Sequence, residues 1–260
     1  MNTLPVVLQT LAGLAPLPLA ASWDNVGLLV EGRPAIQHIH CTIDLTEAVL
    51  SEGLELGADL FMAYHPPIFR GLKRLDRSVP HTRVLLDAIR SGVSIYSPHT
   101  ALDAVPGGMN DWLVDGLDPQ AVRTPIEPDS TDPGAGVGRL AQLSQPLSMQ
   151  EIIARLKRHL GLAQLRVAGP SSDRMVRTVA VCPGAGESVF EKLSDVDLFL
   201  TGEMRHHYIL ARAARGSSVI LTDHTNTERG YLPIFARQLS QALNIPVSVS
   251  AVDRDPLAIV

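Results

Sequence analysis

Short, largely apolar runs alternate with amphipathic stretches through the first half of the chain. Three of these runs have the length of buried strands: Ile39 to Ile43, Ala58 to Ala63 and Val93 to Tyr96. The segments beside them are predicted to be helices: Thr3 to Leu11, Glu47 to Leu56 and His81 to Ser91. Alternation of strand and helix is typical of an α/β fold.

The second half repeats this alternation after a change in composition. Residues Thr124 to Gly138, TPIEPDSTDPGAGVG, lack apolar periodicity and predict a linker. Strands are predicted beyond it at Gly138 to Leu143, Thr178 to Cys182, Asp197 to Leu200, Val219 to Leu221 and Val247 to Val252. Helices are predicted at Ser148 to Leu160, at Glu187 to Leu193, up to Ala214, and from Pro233 to Leu243. We therefore predict an N-terminal α/β domain at 1–123, a linker at 124–138 and a C-terminal α/β domain at 139–260.

Composition narrows the class of protein. The 260 residues are 45% hydrophobic and 19% charged, which is typical of a globular chain with a sizeable core. The formal net charge of -5 is unlike the basic surface of a protein that wraps nucleic acid, so we expect no nucleic-acid partner. A protein partner stays open, although an aromatic content of 4% argues against a large interface of aromatic anchors.

The cysteines and the N-terminus indicate a cytoplasmic protein. Cys41 and Cys182 lie in apolar strand-like runs and are expected to be buried core residues in a reducing compartment. The N-terminus has no basic residue before Arg33 and is interrupted by prolines, so it fits neither a secretory signal nor a membrane span.

Polar residues with metal-binding chemistry gather where the predicted strands end. The set is Asp44, His65, His99, Asp103, Glu203, His206, His207, His224 and Glu228, and it contains five of the nine histidines. Ligands of α/β sheets bind just beyond the carboxyl ends of strands, whereas structural histidines have no reason to prefer that edge. Since neither cysteine falls in these loops, the donors are nitrogen and oxygen, which suits one or two divalent ions such as Zn, Mn, Fe or Mg.

Two of these loops have alternative interpretations. In a helix that begins within Leu221 to Gly230, LTDHTNTERG, His224 and Glu228 project from one face and can reach one metal ion. The alternative is a plain N-terminal helix turn capped by Thr225 or Asn226. The Gly-rich loop PGAGES at 183–188 is either an anion cradle or, since it lacks the Walker lysine, a tight turn.

Five motifs occur in order along the chain: WDNVGLL at 23–29, YHPPIF at 64–69, SPHTALDA at 97–104, TGEMRHH at 201–207 and DHTNTERG at 223–230. In these motifs the chain resembles the YbgI-like family, whose members are labelled Nif-three-like dinuclear metal proteins or GTP cyclohydrolase type 2 homologs. The resemblance spans nearly the whole chain. It implies two similar α/β domains with a metal cleft between them, and a homo-oligomer that is a toroidal hexamer in many relatives.

The resemblance also implies a ligand set. His65 and Asp103 become ligands of one metal, His224 a ligand of the other, and Glu228 the bridge between the two ions. Tyr64 departs from the commoner pattern of two adjacent histidines before the proline, although part of the family has this Tyr-His-Pro version. Because a neutral phenol with a pKa of about 10 is a poor ligand, we expect the second metal to be weak, absent or dependent on Tyr64 ionising.

Other residues are candidates for contact with the substrate. His99, Glu203 and His207 are expected to support the ligands or to face the substrate, and a structural role for them stays open. Arg205 and Arg229 offer contacts to an anion.

Two classes of function follow. A carboxylate and imidazole cluster around a divalent ion suits hydrolysis, so we predict a metal-dependent hydrolase of a small, anionic, nucleotide-like or phosphate-bearing molecule. Ring opening of GTP is one reaction of this class. The alternative is a metal-stabilised oligomeric scaffold, or a regulatory protein-binding module, without catalysis.

Overall fold

The computed structural model of the chain describes residues 2–170 and 174–258. Helices and strands alternate in it, which confirms the α/β fold class. The chain divides into two compact units, one of residues 1–102 with 231–260 and the other of residues 103–230. This division differs from the predicted domains 1–123 and 139–260, because the last helix and strand of the chain pack with the N-terminal residues.

A five-stranded sheet forms the centre of the first unit. Its strand order is Val247–Val249, Ile39–Thr42, Leu60–Ala63, Ser94–Ser97 and Gly27–Val30. The first four strands are parallel and the fifth is antiparallel to its neighbour. The helices of this unit are Leu4–Leu14, Glu47–Glu55, Pro80–Ser91 and Leu232–Leu243. The central parallel strands are buried along their whole length, which explains their largely apolar sequences.

Smaller elements complete the first unit. Asn2–Thr3 pairs with Ala35–Ile36 in a two-stranded sheet, and Leu17–Leu19 forms a 3-10 turn. The short helix His99–Ala104 begins in this unit and ends in the second. It begins two residues after a central strand and places a histidine at the carboxyl edge of the sheet.

A six-stranded mixed sheet forms the centre of the second unit. Its order is Arg166–Ala168, Ser218–Leu221, Leu198–Glu203, Met175–Ala185, Arg139–Ser148 and Val122–Thr124. Three neighbouring strands, from Ser218–Leu221 to Met175–Ala185, are parallel, and the outer pairings are antiparallel. The helices are Met109–Asp115, Met149–Leu160, Glu187–Phe190 and His206–Ala214.

The predicted linker is ordered structure of the second unit. Within residues 124–138, Glu127–Pro128 pairs with Gly136–Val137 in a small antiparallel sheet. The proline and glycine residues that predicted a linker therefore mark hairpin turns. In the described ranges, no helix has both the length and the apolar character needed to cross a membrane.

Candidate metal centre

Two histidine rings lie at the carboxyl edge of the first unit's sheet. His65 follows the strand Leu60–Ala63, and its Nδ1 lies 2.9 Å from Oδ1 of Asp44, which follows the neighbouring parallel strand. His99 follows the next strand, and its ring centroid is 5.5 Å from that of His65. Because the carboxylate only accepts, the His65 ring donates through Nδ1, and a metal ion held by His65 would bind Nε2.

A buried carboxylate holds the His99 ring. Both carboxylate oxygens of Asp24 lie 2.8 Å from His99 Nδ1, and the Thr100 backbone N–H and hydroxyl also donate to Asp24. Burial alone would raise the pKa of Asp24, but the hydrogen bonds from His99 and Thr100 and the charge of His99 outweigh it and hold the pKa below its ordinary value. Asp24 is thus an ionised anchor for His99.

Tyr64 is packed beside both histidines. It is buried at 1% exposure, and its ring centroid lies 5.0 Å from that of His65 and 5.4 Å from that of His99. Its backbone N–H donates to the carbonyl of Thr42, and its carbonyl accepts from the Ser97 hydroxyl. The sheet therefore fixes Tyr64 at the same edge as the two histidines.

His224 and Glu228 form a possible His/Glu metal-binding group in the second unit. His224 Nε2 lies 3.5 Å from Glu228 Oε1, while His224 Nδ1 lies 3.1 Å from Glu203 Oε1. Glu203 ends the strand Leu198–Glu203, next to the strand that precedes His224. Glu203 therefore holds the proton on Nδ1, and the opposite nitrogen of the ring is directed to the buried carboxylate of Glu228.

The predicted helix through His224 and Glu228 is wrong in type. The segment is a 3-10 turn at Thr225–Thr227 followed by another at Arg229–Tyr231. The Thr227 hydroxyl donates to the carbonyl of His224 and accepts from the Gly184 N–H, which replaces helical backbone bonding with local side-chain bonding. The side chains of His224 and Glu228 nevertheless meet.

The Gly-rich loop at 183–188 packs directly against this pair. A Cβ on Gly184 would stand 2.9 Å from His224 Nε2 and 2.9 Å from Glu228 Oε1, which is closer than real Cβ atoms come. Gly184 also has a φ of +59°, in the left-handed region. Only glycine therefore lets the backbone approach the two donor atoms this closely.

Negative charge gathers at the same end of the second unit. Burial raises the pKa of the Cys182 thiol, and the charges of Asp103 and Glu228, followed by that of Glu127, raise it further. The raised pKa favours the protonated thiol over the thiolate. Asp103 is held by its backbone, because its carbonyl accepts from Asn110 Nδ2 at 3.0 Å. An imidazole with nearby carboxylates and no thiolate fits a divalent ion with nitrogen and oxygen ligands.

The remaining predicted residues lie on the surface of the second unit. His207 is exposed at the start of the helix His206–Ala214, with its ring centroid 5.5 Å from that of His206. Arg205 lines a shallow pocket of about 270 Å³ together with Glu203 and Glu187. The Arg205 guanidinium pairs with Glu187, which lowers the pKa of that carboxyl through the hydrogen bond. Arg205 is therefore already partly neutralised as an anion contact.

Sequence reasoning missed two residues that build the centre. Asp24 has no assigned role in the sequence motif WDNVGLL, although its carboxylate anchors His99. Gly184 was interpreted as part of an anion cradle or a plain turn, although its backbone lies against the donor atoms. The local signal for Gly184 was its position near the end of a strand, Met175–Ala185, because a glycine there permits close approach of the backbone.

The fold and the site together define an α/β chain with a possible His/Glu metal-binding group. The chain belongs to the Duf34/NIF3 (NGG1p interacting factor 3) family, whose model matches residues 3–256. A NIF3 homolog of Schizosaccharomyces pombe is 40% identical over 256 residues, covering 92% of this chain and 91% of that protein. The resemblance to the Nif-three-like family is thereby confirmed.

Solved structures share the fold. A Staphylococcus aureus hypothetical protein, SA1388, superposes with a TM-score of 0.87 at 21% identity, covering 99% of each chain. The protein ybgI, described as of unknown function, superposes with a TM-score of 0.83 at 24% identity, covering 99% of this chain and 100% of that chain. The fold is therefore that of other members of this superfamily.

Proposed function

We propose that this chain is a divalent-metal-dependent hydrolase of a small, anionic, nucleotide-like or phosphate-bearing molecule. The observation that carries the proposal is the geometry of His224, whose Nδ1 is held by Glu203 while its Nε2 lies 3.5 Å from the buried carboxylate of Glu228. A carboxylate that orients a histidine in this way is typical of metal ligands. Asp44 holds His65 in the same manner in the first unit.

The proposed ligands are those that the family resemblance implies. His65 and Asp103 would hold one ion and His224 the other, Glu228 would be shared by both, and Tyr64 stands in the place of a further histidine. A divalent ion at such a centre supplies Lewis acid catalysis and the activation of water for hydrolysis. The ion is Zn, Mn, Fe or Mg, because the donors are nitrogen and oxygen.

The surrounding residues have supporting roles in this proposal. Glu203 keeps the proton on Nδ1 of His224, and Asp44 does so for His65. His99 lies beside His65 and is a candidate for contact with a bound substrate. His207, exposed on its helix, is the remaining candidate for substrate contact. Ring opening of GTP is one reaction of the proposed class.

Metal content and activity together test the proposal. Elemental analysis should find one or two divalent ions in the wild-type protein and fewer in Glu228→Ala. Glu191→Ala is the matched control, because Glu191 is an exposed carboxylate of the same unit that bonds to the Tyr208 hydroxyl. The metal-loaded protein is then assayed against GTP, other nucleotides, phosphomonoesters and phosphodiesters. Equal inactivity of wild type and His65→Ala across this panel would contradict the hydrolase.

A second function is supported by the family description, which contains the words NGG1p interacting factor 3. We propose as the alternative a metal-stabilised homo-oligomer, a toroidal hexamer, that binds another protein without catalysis. Light scattering measures the mass of the assembly. A protein partner that binds wild type and His65→Ala equally well, with no hydrolysis by either, would favour this alternative.

A further inference from the structure

Two large aromatic side chains of the first unit are exposed beside the predicted metal ligand His65. Trp23 is 63% exposed and Phe69 is 45% exposed, and their ring centroids lie 5.9 Å apart at an interplanar angle of 62°. Burying such rings on folding would stabilise the chain, so their exposure needs a reason. Exposed rings grouped at a sheet edge where ligands bind indicate a binding surface.

The backbone that carries these rings is held by partly buried hydrogen bonds. Asn25 Nδ2 donates to the carbonyl of Ile68 at 2.5 Å and so ties the Trp23 loop to the Phe69 loop. Asp24, whose side chain is 0% exposed, accepts from the next residue's N–H and from His99 and Thr100. An exposed indole on an otherwise fixed loop is preorganised, and a ligand that stacks on it orders few further groups.

His99 connects the aromatic pair to the predicted metal ligand. Its ring centroid lies 6.2 Å from that of Trp23, 6.4 Å from that of Phe69 and 5.5 Å from that of His65. His99 adopts a φ of +31°, which a non-glycine residue rarely does and which is found mainly where function requires it. A ring bound at Trp23 and Phe69 would therefore lie next to the residues that carry the proposed chemistry.

The loop that begins at Phe69 adds positive charge. Arg70, Lys73 and Arg74 are exposed, and none of the three forms an ion pair with a residue in the described ranges. Arg77 and Arg83, by contrast, pair with Asp87 and Glu47. Cations that are not engaged in the protein suit a negatively charged ligand.

We propose that Trp23 and Phe69 bind the planar ring of a small anionic molecule, and that Arg70, Lys73 and Arg74 bind its negatively charged group. The ligand class is a charged heteroaromatic compound, for which a nucleoside monophosphate is the probe. That this ligand is also the substrate rests on the proposed function. Binding of the ligand at Trp23 and Phe69 does not require that the protein hydrolyse it.

Ring and charge are tested separately with the full-length, metal-loaded protein. GMP, ribose 5-phosphate and guanosine are titrated by equilibrium dialysis. We expect wild type to bind GMP more tightly than either fragment. Trp23→Ala should weaken GMP binding by roughly 5- to 100-fold, which is the range for loss of one aromatic stacking partner, and leave ribose 5-phosphate unchanged. Trp23→Phe should retain most of the affinity.

Two further variants complete the test. Leu210→Ala removes a side chain that is 52% exposed in the other unit, and it should leave GMP binding unchanged. The double variant Lys73→Ala, Arg74→Ala should weaken the binding of GMP and of ribose 5-phosphate but not that of guanosine. It should also reduce the dependence of GMP binding on salt concentration.

The outcomes separate this inference from the hydrolase. Absence of GMP binding to wild type, equal binding of GMP and ribose 5-phosphate, or unchanged GMP binding by Trp23→Ala would each overturn the ring site. Ring-dependent binding without hydrolysis of any substrate would contradict the hydrolase and leave the ring site in place. Ring-dependent GMP binding together with hydrolysis that is insensitive to Trp23→Ala would contradict only the identity of the ring ligand as the substrate.

Discussion

The backbone of Gly184 lies so close to Glu228 that a Cβ at Gly184 would stand 2.9 Å from the carboxylate oxygen Oε1. The same Cβ would lie 2.9 Å from His224 Nε2. Gly184→Ala must therefore displace the two donor atoms, and we expect metal affinity to fall roughly tenfold or more, as for loss of other residues that position metal ligands. Metal titration with a competing chelator measures this.

Gly161→Ala separates this clash from backbone strain. Gly161 has a φ of +69°, similar to +59° at Gly184, but nothing lies within 4 Å of its Cβ position. Each variant should lose about 1–2 kcal/mol of unfolding free energy through the left-handed backbone. Equal metal affinity of the two variants would show that Gly184 has no special relation to the ligands.

Glu203 should affect metal binding through His224 alone. Its carboxylate oxygen lies 3.1 Å from His224 Nδ1, and Glu203 is exposed, so Glu203→Ala should leave the fold intact. We expect metal affinity to fall about 10- to 100-fold, because the ring loses its orienting carboxylate. Glu203→Gln retains a hydrogen-bond acceptor, so its metal affinity should fall less. An affinity of Glu203→Ala equal to that of Glu191→Ala would contradict this role.

Replacement of Tyr64 tests whether the phenol limits metal content. Tyr64→His supplies an imidazole, a better ligand than a neutral phenol, and should raise the metal bound per chain. Elemental analysis after removal of loosely bound ions measures it. Tyr64→Phe removes only the hydroxyl and is the control. If Tyr64→His bound no more metal than wild type, Tyr64 would not occupy a ligand position.

The buried Arg139 should be a major source of stability in the second unit. It is 1% exposed, its Nε donates to Asp111 at 2.9 Å, and its guanidinium donates to the carbonyls of Gly136, Gly138 and Ala104. Arg139→Met removes the guanidinium that neutralises Asp111 and donates to these carbonyls, although the Gly107 N–H still donates to Asp111, and should cost about 3–5 kcal/mol of unfolding free energy. Denaturant unfolding measures it. Because Ala104 follows Asp103, metal binding should weaken as well.

An exposed ion pair of the same unit is the control. Lys192 is 76% exposed and pairs with Glu127 at 3.0 Å, so Lys192→Met should change the unfolding free energy by less than about 1 kcal/mol. The double variant Asp111→Asn, Arg139→Met should be less destabilised than Arg139→Met, since it also removes the carboxylate charge that Arg139 neutralised. A loss with Arg139→Met no larger than with Lys192→Met would refute the argument.

The buried His40 should make stability depend on pH. Burial lowers the pKa of His40 even though Glu52, whose Oε2 lies 3.3 Å from His40 Nε2, opposes that change. The unfolded chain then binds a proton more readily than the folded one. The contribution of neutral His40 to the free energy of unfolding should be fully present above about pH 6.5. It should be lost as the pH falls below that value. Thermal unfolding between pH 5 and 8 in the presence of chelator measures the slope.

His40→Gln should reduce this slope, and His206→Gln should not, because His206 is exposed. Some slope should persist in His40→Gln, since burial also lowers the pKa of His159. A wild-type slope in His40→Gln would show that His40 does not contribute to the acid sensitivity.

Local sequence patterns determined the fold class and the edge of the sheet at which the site residues lie. Three short runs are buried parallel strands: Ile39–Thr42, Leu60–Ala63 and Ser94–Ser97. Because they are short and buried on both faces, they differ in pattern from the longer amphipathic helices between them. His65 and His99 each lie two residues after such a strand. Their position at the carboxyl edge was therefore predictable from chain order, and the motifs around them identified the family.

Tertiary structure alone decided the contacts between distant segments. The strand Val247–Val249 joins the first unit by pairing with Ile39–Thr42, and Asp24 meets His99 across 75 positions of the chain. No local pattern specifies such pairs, because they depend on the packing of whole elements. The same holds for Gly184, whose proximity to His224 and Glu228 arises only after the parallel strands before these loops are aligned. The sequence thus determined which residues could bind a metal. Packing within each unit decided which of their atoms come into contact.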